Sequence, residues 1–289
     1  MGDQRGNVRA VMQAASVLSD LPYELTWSEF AAAAPLIEAL NAGAVDGGIV
    51  GDAPFTFGFA AGVKMKAIAP LRASMEGTAI LVKSDSPAHA LSDLAGKRVA
   101  TGRGSVGHFL VLMALRRAGL DASAVQLTFL QPADAKAALL SGSVDAWATW
   151  EPYTSQLELL NHGRQVVNGV GLTPGLSYQV ASDAAIAGKR AMLEDFVARM
   201  AKARVWASQH PEEYAVFWAK LMNFPEAVPR QWFSRTRQAI IPADEAVFRD
   251  EQLVIDVYAG AGMLARKFEA SSAYDTRFNA AIMRGNAAV

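Results

Sequence analysis

The chain contains no cysteine in 289 residues. That absence excludes disulfides, thiolate zinc sites, iron–sulfur clusters and a cysteine nucleophile. Neither sign of charge is in excess, with 27 lysines and arginines against 28 aspartates and glutamates. No basic field able to grip a polyanion follows from that balance, so nucleic acid is not an expected partner. Histidine is scarce: the four, His89, His108, His162 and His210, include no pair four residues apart and none beside an acid at ligand spacing. Neither a metal site nor a cofactor is therefore expected. There is no Gly-x-Ser-x-Gly elbow and no Walker loop. Gly102 to Gly107 spaces its glycines superficially like a dinucleotide loop, but the third glycine is out of register and a placed acidic partner is lacking. Long hydrophobic runs are also missing. The most apolar, Gly47 to Val63, is broken by Asp52, Pro54 and four further glycines, so it does not read as a membrane span. No charged segment followed by an apolar one opens the sequence, so no leader is visible. A cytoplasmic protein and a mature exported form both fit.

What is present is apolar material, 52% of residues against 19% charged, enough for packed cores and too much for disorder. The first two thirds alternate short apolar runs with helical spacing. Val8, Val11, Met12, Ala15 and Leu18 predict a helix that Asn7 can cap. Leu36, Ile37 and Leu40 predict another, ended by Gly43. Val45 to Val50, Ala79 to Val82, Arg98 to Thr101, Gln126 to Leu130 and Ala146 to Thr149 predict strands. Helices are expected near Phe109 to Ala118, stopped by Gly119, and Ala133 to Ser141, stopped by Gly142. This alternation predicts an α/β architecture with largely parallel sheets. From Asp183 the pattern turns helical, over Arg190 to Gln209, Pro211 to Met222 and Ala243 to Leu264.

One segment repeats. Ala39-Leu40-Asn41-Ala42-Gly43-Ala44-Val45-Asp46 matches Ala138-Leu139-Leu140-Ser141-Gly142-Ser143-Val144-Asp145 at five of eight positions. Each copy reads as helix end, glycine stop and a strand opened by Val-Asp. Each runs on into a short turn with proline, Gly51-Asp52-Ala53-Pro54 and Trp150-Glu151-Pro152-Tyr153. In α/β units ligands sit where strands end and helices begin, so two such turns could serve one ligand. Chance remains the alternative, because helix–Gly–strand junctions are common.

These pieces, with Gln4, Ala79 to Lys83, Asp93 to Ala100 and Gly104-Ser105, resemble the solute-binding proteins of ABC importers for aliphatic sulfonates, taurine and nitrate. The resemblance runs in order from about Gly2 to Leu264. It implies a type II periplasmic-binding-protein fold: two interleaved α/β lobes joined by two crossover strands, with residues 1–83 and 180–289 in lobe one and 84–179 in lobe two. The chain would cross near Val82 to Ser86 and return near Tyr178 to Ser182, and these segments would be the hinge. It further implies a monomeric, non-catalytic receptor, periplasmic or lipid-anchored outside the cytoplasmic membrane, that binds a sulfonate between its lobes. The partners would be a permease and its ATPase subunit. A taurine or nitrate receptor and a small-molecule enzyme on the same scaffold are the alternatives. Desulfinases and pyrimidine synthases of this fold depend on cysteine and are excluded.

A sulfonate stays ionised at physiological pH, so its binding needs converging N–H donors and no proton transfer. Gly104, Ser105, Val106, Gly107 and His108 lie between a strand and a helix start and read as an anion cradle, or as an ordinary loop with Ser105 as N-cap. By the resemblance, Gly51 to Pro54 is the facing loop. There Asp52 better suits capping than touching an anion, and the Ala53 N–H is the better donor. Gln4 offers an amide, unless it is a surface residue. Among arginines, Arg5, Arg103 and above all Arg237 are candidates for the sulfonate fork. Trp150, Glu151 and Tyr153 would form an aromatic and acidic wall for the organic tail, with core packing as the alternative for Trp150.

Overall fold

The computed structural model describes residues 1–288. In chain order it runs β1 (Gly2–Gln4), α1 (Asn7–Ala14), β2 (Ser28–Phe30), α2 (Ala33–Asn41), β3 (Gly47–Gly51), α3 (Asp52–Ala60) and β4 (Met65–Ala73). There follow β5 (Ala79–Lys83), β6 (Arg98–Thr101), α4 (Val106–Arg117), β7 (Gln126–Phe129), α5 (Pro132–Ser141), β8 (Ala146–Thr149), α6 (Tyr153–Leu160) and β9 (Gly163–Asn168). The remainder comprises β10 (Leu176–Ser182), α7 (Asp183–Gln209), α8 (Pro211–Met222), α9 (Ala227–Arg235), β11 (Gln238–Ile240), α10 (Glu245–Gly260) and α11 (Asn279–Ala287).

The chain divides into two compact units, Met1–Ala73 with Leu176–Glu226 and Arg237–Val289, and Ser74–Gly175 with Ala227–Thr236. The division falls elsewhere than the expected 83/84 and 179/180. Val82 and Lys83 are strand residues inside the second unit, paired with Arg164 and Gly163. Tyr178 to Ser182 lie within β10, hydrogen-bonded to β3 on one side and β4 on the other. The second expected hinge segment is thus interior to a sheet and the first begins inside one, and the passages between units lie at 73/74 and 175/176. Two more occur at 226/227 and 236/237, because α9 returns to the second unit. No helix among the described residues is long and apolar enough to cross a membrane.

The first unit has a six-stranded sheet in the order β11-β4-β10-β3-β1-β2. β1 runs parallel to β2 and β3, whereas β10 is antiparallel to β3 and β4, and β11 to β4. Leu36, Ile37, Phe55, Met65, Tyr178, Val247 and Tyr274 belong to the core that covers it. The second unit has five strands in the order β7-β6-β8-β5-β9, parallel among β7, β6 and β8 and antiparallel at β5. Two cores serve this unit, one with Ile80, Val99 and Leu110, the other with Ala135, Leu139, Trp147 and Leu157. Both sheets are mixed, which corrects the expectation of largely parallel ones. The antiparallel strands β5 and β10 come directly after the passages at 73/74 and 175/176.

Local chemistry explains most boundaries. Ser182 and Asp244 cap α7 and α10 through their side-chain oxygens, and Pro132 and Pro211 occupy first helical positions. Asn7 is not a cap. Gly6 occupies that position in the left-handed region, and Asn7 begins α1 and accepts hydrogen bonds from Arg204. The long strand β4 is masked in sequence by Pro70, which sits beside a register shift in the β4–β10 ladder. Loss of the Asp244 cap, whose Oδ1 accepts N–H groups of Ala246 and Val247 at 3.0 Å each, is expected to cost about 1 kcal/mol. Urea unfolding of Asp244→Ala should show a lower midpoint with an unchanged slope.

Candidate functional site

The repeated segment has two structural homes, one per unit. Gly43 and Gly142 both adopt left-handed φ, 72° and 78°, at the ends of α2 and α5. Val45 and Val144 are both buried. The aspartates that follow each hold a cation, Asp46 with Lys189 and Asp145 with Arg98. From there β3 leads into α3 and β8 into α6.

In the second unit the loop from Thr101 to His108 is tied down from within. The Thr101 hydroxyl donates to the Ala148 carbonyl at 3.0 Å and lies 3.4 Å from the Ser105 hydroxyl. The Ser105 N–H donates to the Gly102 carbonyl at 3.1 Å, while the Ser105 Oγ accepts the His108 N–H at 3.2 Å. Ser105 is therefore the N-cap of α4. Gly104, at φ 64°, turns its N–H onto His108 Nδ1 at 3.2 Å. His108 is 1% exposed and pushed down to about 4 by burial, with Arg103 adding to the effect. Its imidazole is thus a neutral acceptor that shapes the loop. Gly102, Ser105 and Val106 remain half-buried. The Val106 and Gly107 N–H groups lie in the first turn, where no helical carbonyl can serve them. Gly107 is glycine for packing: a Cβ there would stand 2.5 Å from the Ala148 carbonyl oxygen.

The aromatic wall divides. Tyr153 is 6% exposed and packs with Trp147 in the core. Trp150 is half-buried, edge-on to Tyr153, with its ring near Gly102. Glu151 is not free for a ligand either. Its carboxylate accepts from Arg235 Nε at 2.7 Å and from the Ser155 hydroxyl and N–H at 2.9 and 3.0 Å. Arg235 also reaches Glu158 at 2.8 Å, fastening α9 to α6. Burial still leaves the Glu151 carboxyl above its usual range, Arg235 offsetting only part of the shift. Arg103 is exposed, its guanidinium 4.0 Å from the centre of the Phe129 ring.

In the first unit, Gln4 is half-buried and spends one amide N–H on the Ile49 carbonyl at 2.5 Å, joining β1 to β3. Arg5 has a left-handed φ of 53°, and its carbonyl accepts from the Trp218 indole. Arg237 is exposed and immediately precedes β11. Asp52 is not the cap of α3. Gly51 holds that position, and Asp52 is the first helical residue, fully buried. Its Oδ1 accepts the Ala53 N–H at 2.7 Å, so the donor expected for the ligand is already engaged. Burial pushes the Asp52 carboxyl up to about 7.

Three groups escaped the sequence reading. Arg204, 4% exposed, donates to Asn7 and to Gln238. Arg235 forms the ion network just described. Glu251 is fully buried, its oxygens accepting from the Thr56 and Tyr178 hydroxyls. Glu251 alone carried a readable signal, since it interrupts the apolar stripe of Val247, Val254, Ile255 and Tyr258 on α10.

With this geometry stand the likenesses to known proteins. The model of the NMT1-like family matches residues 7–222. The chain belongs to that family. A protein of Escherichia coli strain K12, provisionally named an aliphatic sulfonates-binding protein, is 32% identical over 273 residues, spanning 93% of this chain and 86% of its own. The alkanesulfonate-binding protein SsuA from Xanthomonas axonopodis pv. citri, solved with bound MOPS, superposes with a TM-score of 0.88 at 28% identity, over 95% of this chain and 96% of that one. The periplasmic aliphatic sulphonate binding protein SsuA from E. coli gives 0.82 at 30% identity, over 95% and 90%. This NMT1-like chain therefore has the α/β periplasmic-binding-protein fold and is similar to aliphatic sulfonate-binding proteins.

Removing the Arg235 charge leaves Glu151 and Glu158 without their cation. Arg235→Met is expected to destabilise the protein by about 3 kcal/mol, measured as a fall in the thermal midpoint. Gly107→Ala should cost a further large amount, about 1–3 kcal/mol, because the clash is with backbone; circular-dichroism melting checks both.

Proposed function

We propose that this protein is a non-catalytic receptor that captures an aliphatic sulfonate and hands it to a membrane permease driven by an ATPase subunit. The observation that carries the reading is the α4 amino end: a loop braced from within, capped by a neutral hydroxyl, with first-turn N–H groups beside a half-buried tryptophan. A permanently ionised, weakly basic anion suits such donors, since the helix end supplies positive potential and no group there can transfer a proton. His108 is neutral and Ser105 spends its hydroxyl on the helix. Trp150 beside Gly102 gives the organic tail an apolar face, which bare nitrate or sulfate could not use. The likeness to two SsuA proteins over nearly the whole chain supports the same ligand class.

In the first unit the amino end of α3 is the second donor set in this proposal, together with the remaining amide N–H of Gln4 and the Arg237 guanidinium. Taurine fits less well, because Glu151, the acid of the expected wall, already holds Arg235. The absence of cysteine removes the nucleophile that desulfinases of this scaffold use, so reversible binding is the activity expected. The working place is the periplasm or the outer face of the cytoplasmic membrane, where importers collect their solutes.

Hexanesulfonate at ~100 times its dissociation constant should raise stability by about 2.7 kcal/mol, visible as a clear rise in thermal midpoint. Affinity should be micromolar or tighter, about −8 kcal/mol. Nitrate, sulfate and a carboxylate of equal chain length should give little shift. Ser105→Pro removes both the cap and the N–H that holds the turn, and should abolish the hexanesulfonate shift. Sulfonate buffers must be absent. No shift with any sulfonate, or unchanged affinity in Ser105→Pro, would sink this assignment.

A further inference from the structure

Asp52 is an acid where a receptor for anions has most reason to avoid one. It opens α3, it is fully buried, and while Oδ1 holds the Ala53 N–H, Oδ2 has no hydrogen-bond partner in the described structure. Glu251 of α10 is buried beside it, with both oxygens on the Thr56 and Tyr178 hydroxyls. The other ionisable groups acting on the pair are the phenols of Tyr178 on β10, Tyr258 on α10 and Tyr274 after α10. Of the remaining elements packed on α3, β3 has no ionisable side chain, and the only one on α2, Glu38, is exposed. Among the described residues, no cation figures in the causes that shift either carboxyl.

We infer that Asp52 and Glu251 keep at least one proton between them, and that Asp52, once ionised, competes with the anionic ligand for the amino end of α3. The inference rests on the sulfonate reading and adds a proton to it. Two like charges without a cation cannot both persist in a dry interior. Ionised Asp52 occupies the Ala53 N–H and repels a second anion. Protonated Asp52 is a weak acceptor that leaves the N–H available and removes the repulsion. Glu251 is a positioning residue: burial and the neighbouring Asp52 charge hold its proton against the pull of the Thr56 and Tyr178 hydroxyls, so Asp52 is the group that titrates.

The direction of the effect follows. Burial sets Asp52 at about 7 and Glu251 well above its ordinary value. A bound anion favours the protonated carboxyl and raises it further, so binding takes up a proton. Affinity is full below pH 6 and falls as pH rises through 7, by up to tenfold per pH unit. Of the other buried groups, Asp3 lies at about 6 and His108 at about 4.

The test is calorimetric titration of the full chain with hexanesulfonate, which stays ionised throughout, at pH 6, 7 and 8 in Bis-Tris and Tris. At pH 7 it is repeated in Bis-Tris and imidazole to count protons. The expected result is a Kd about tenfold weaker at pH 8 than at pH 6, with uptake of about half a proton at pH 7. Asp52→Asn should hold Kd within twofold across this range, and Glu251→Gln should keep the slope. If Asp52→Asn does not fold, Asp3→Asn takes its place: a slope that survives there supports Asp52, and a slope lost there overturns this inference. A pH-independent wild-type Kd with no proton uptake overturns this inference alone, as does a wild-type slope surviving in Asp52→Asn, which would point to Asp3. Failure to bind hexanesulfonate at every pH overturns the sulfonate reading and this inference with it.

Discussion

The first backbone N–H groups of a helix have no carbonyl to meet, and what serves them shapes both halves of this protein. At α4 the partner is a neutral hydroxyl, Ser105, so the positive end of the helix dipole stays uncompensated. At α3 it is a carboxylate, Asp52, that turns back on its neighbour's N–H. These two strand-to-helix turns therefore differ in their electrostatics. One is capped by a neutral hydroxyl, and the other holds an acid that burial pushes up to about 7.

The same economy of charge runs through the interior. Wherever a charged group is buried it is either paired or pushed towards its neutral form. Arg235 holds Glu151 and Glu158 and so ties α9, which arrives late in the chain, to α6. Arg204 is buried on Asn7 and Gln238, joining α7 to the start of α1 and to β11. Asp52 and Glu251 have no cation and are driven towards the protonated form instead.

Local pattern was a good guide where the signal is local. Arg98 to Thr101 and Ala146 to Thr149 are strands with the bounds that the apolar runs predicted, and Gly119 and Gly142 stop their helices as glycine at a helix end should. Pattern failed at β4, where Pro70 hides a strand, and at β9 to β11, whose partners lie far away in sequence. It failed again in direction. Nothing in β5 or β10 marks them as antiparallel, because strand orientation is set by which neighbour is met after the chain changes unit.

For the candidate site, the sequence by itself determined the chemistry on offer: no thiol, and glycine-rich strand-to-helix turns with a serine placed to cap the helix that follows. Spacing within a few residues decides such things, since a cap and its helix are neighbours in the chain. Tertiary structure alone decided which groups remain available. Glu151 is taken by Arg235 from 84 residues away, Tyr153 by the Trp147 core, Gln4 by Ile49, and Ala53 by Asp52. It also decided that Glu251, 199 positions after Asp52, shares its dry surroundings. Burial and charge are properties of a residue's neighbours in space, and no reading of neighbours in sequence supplies them.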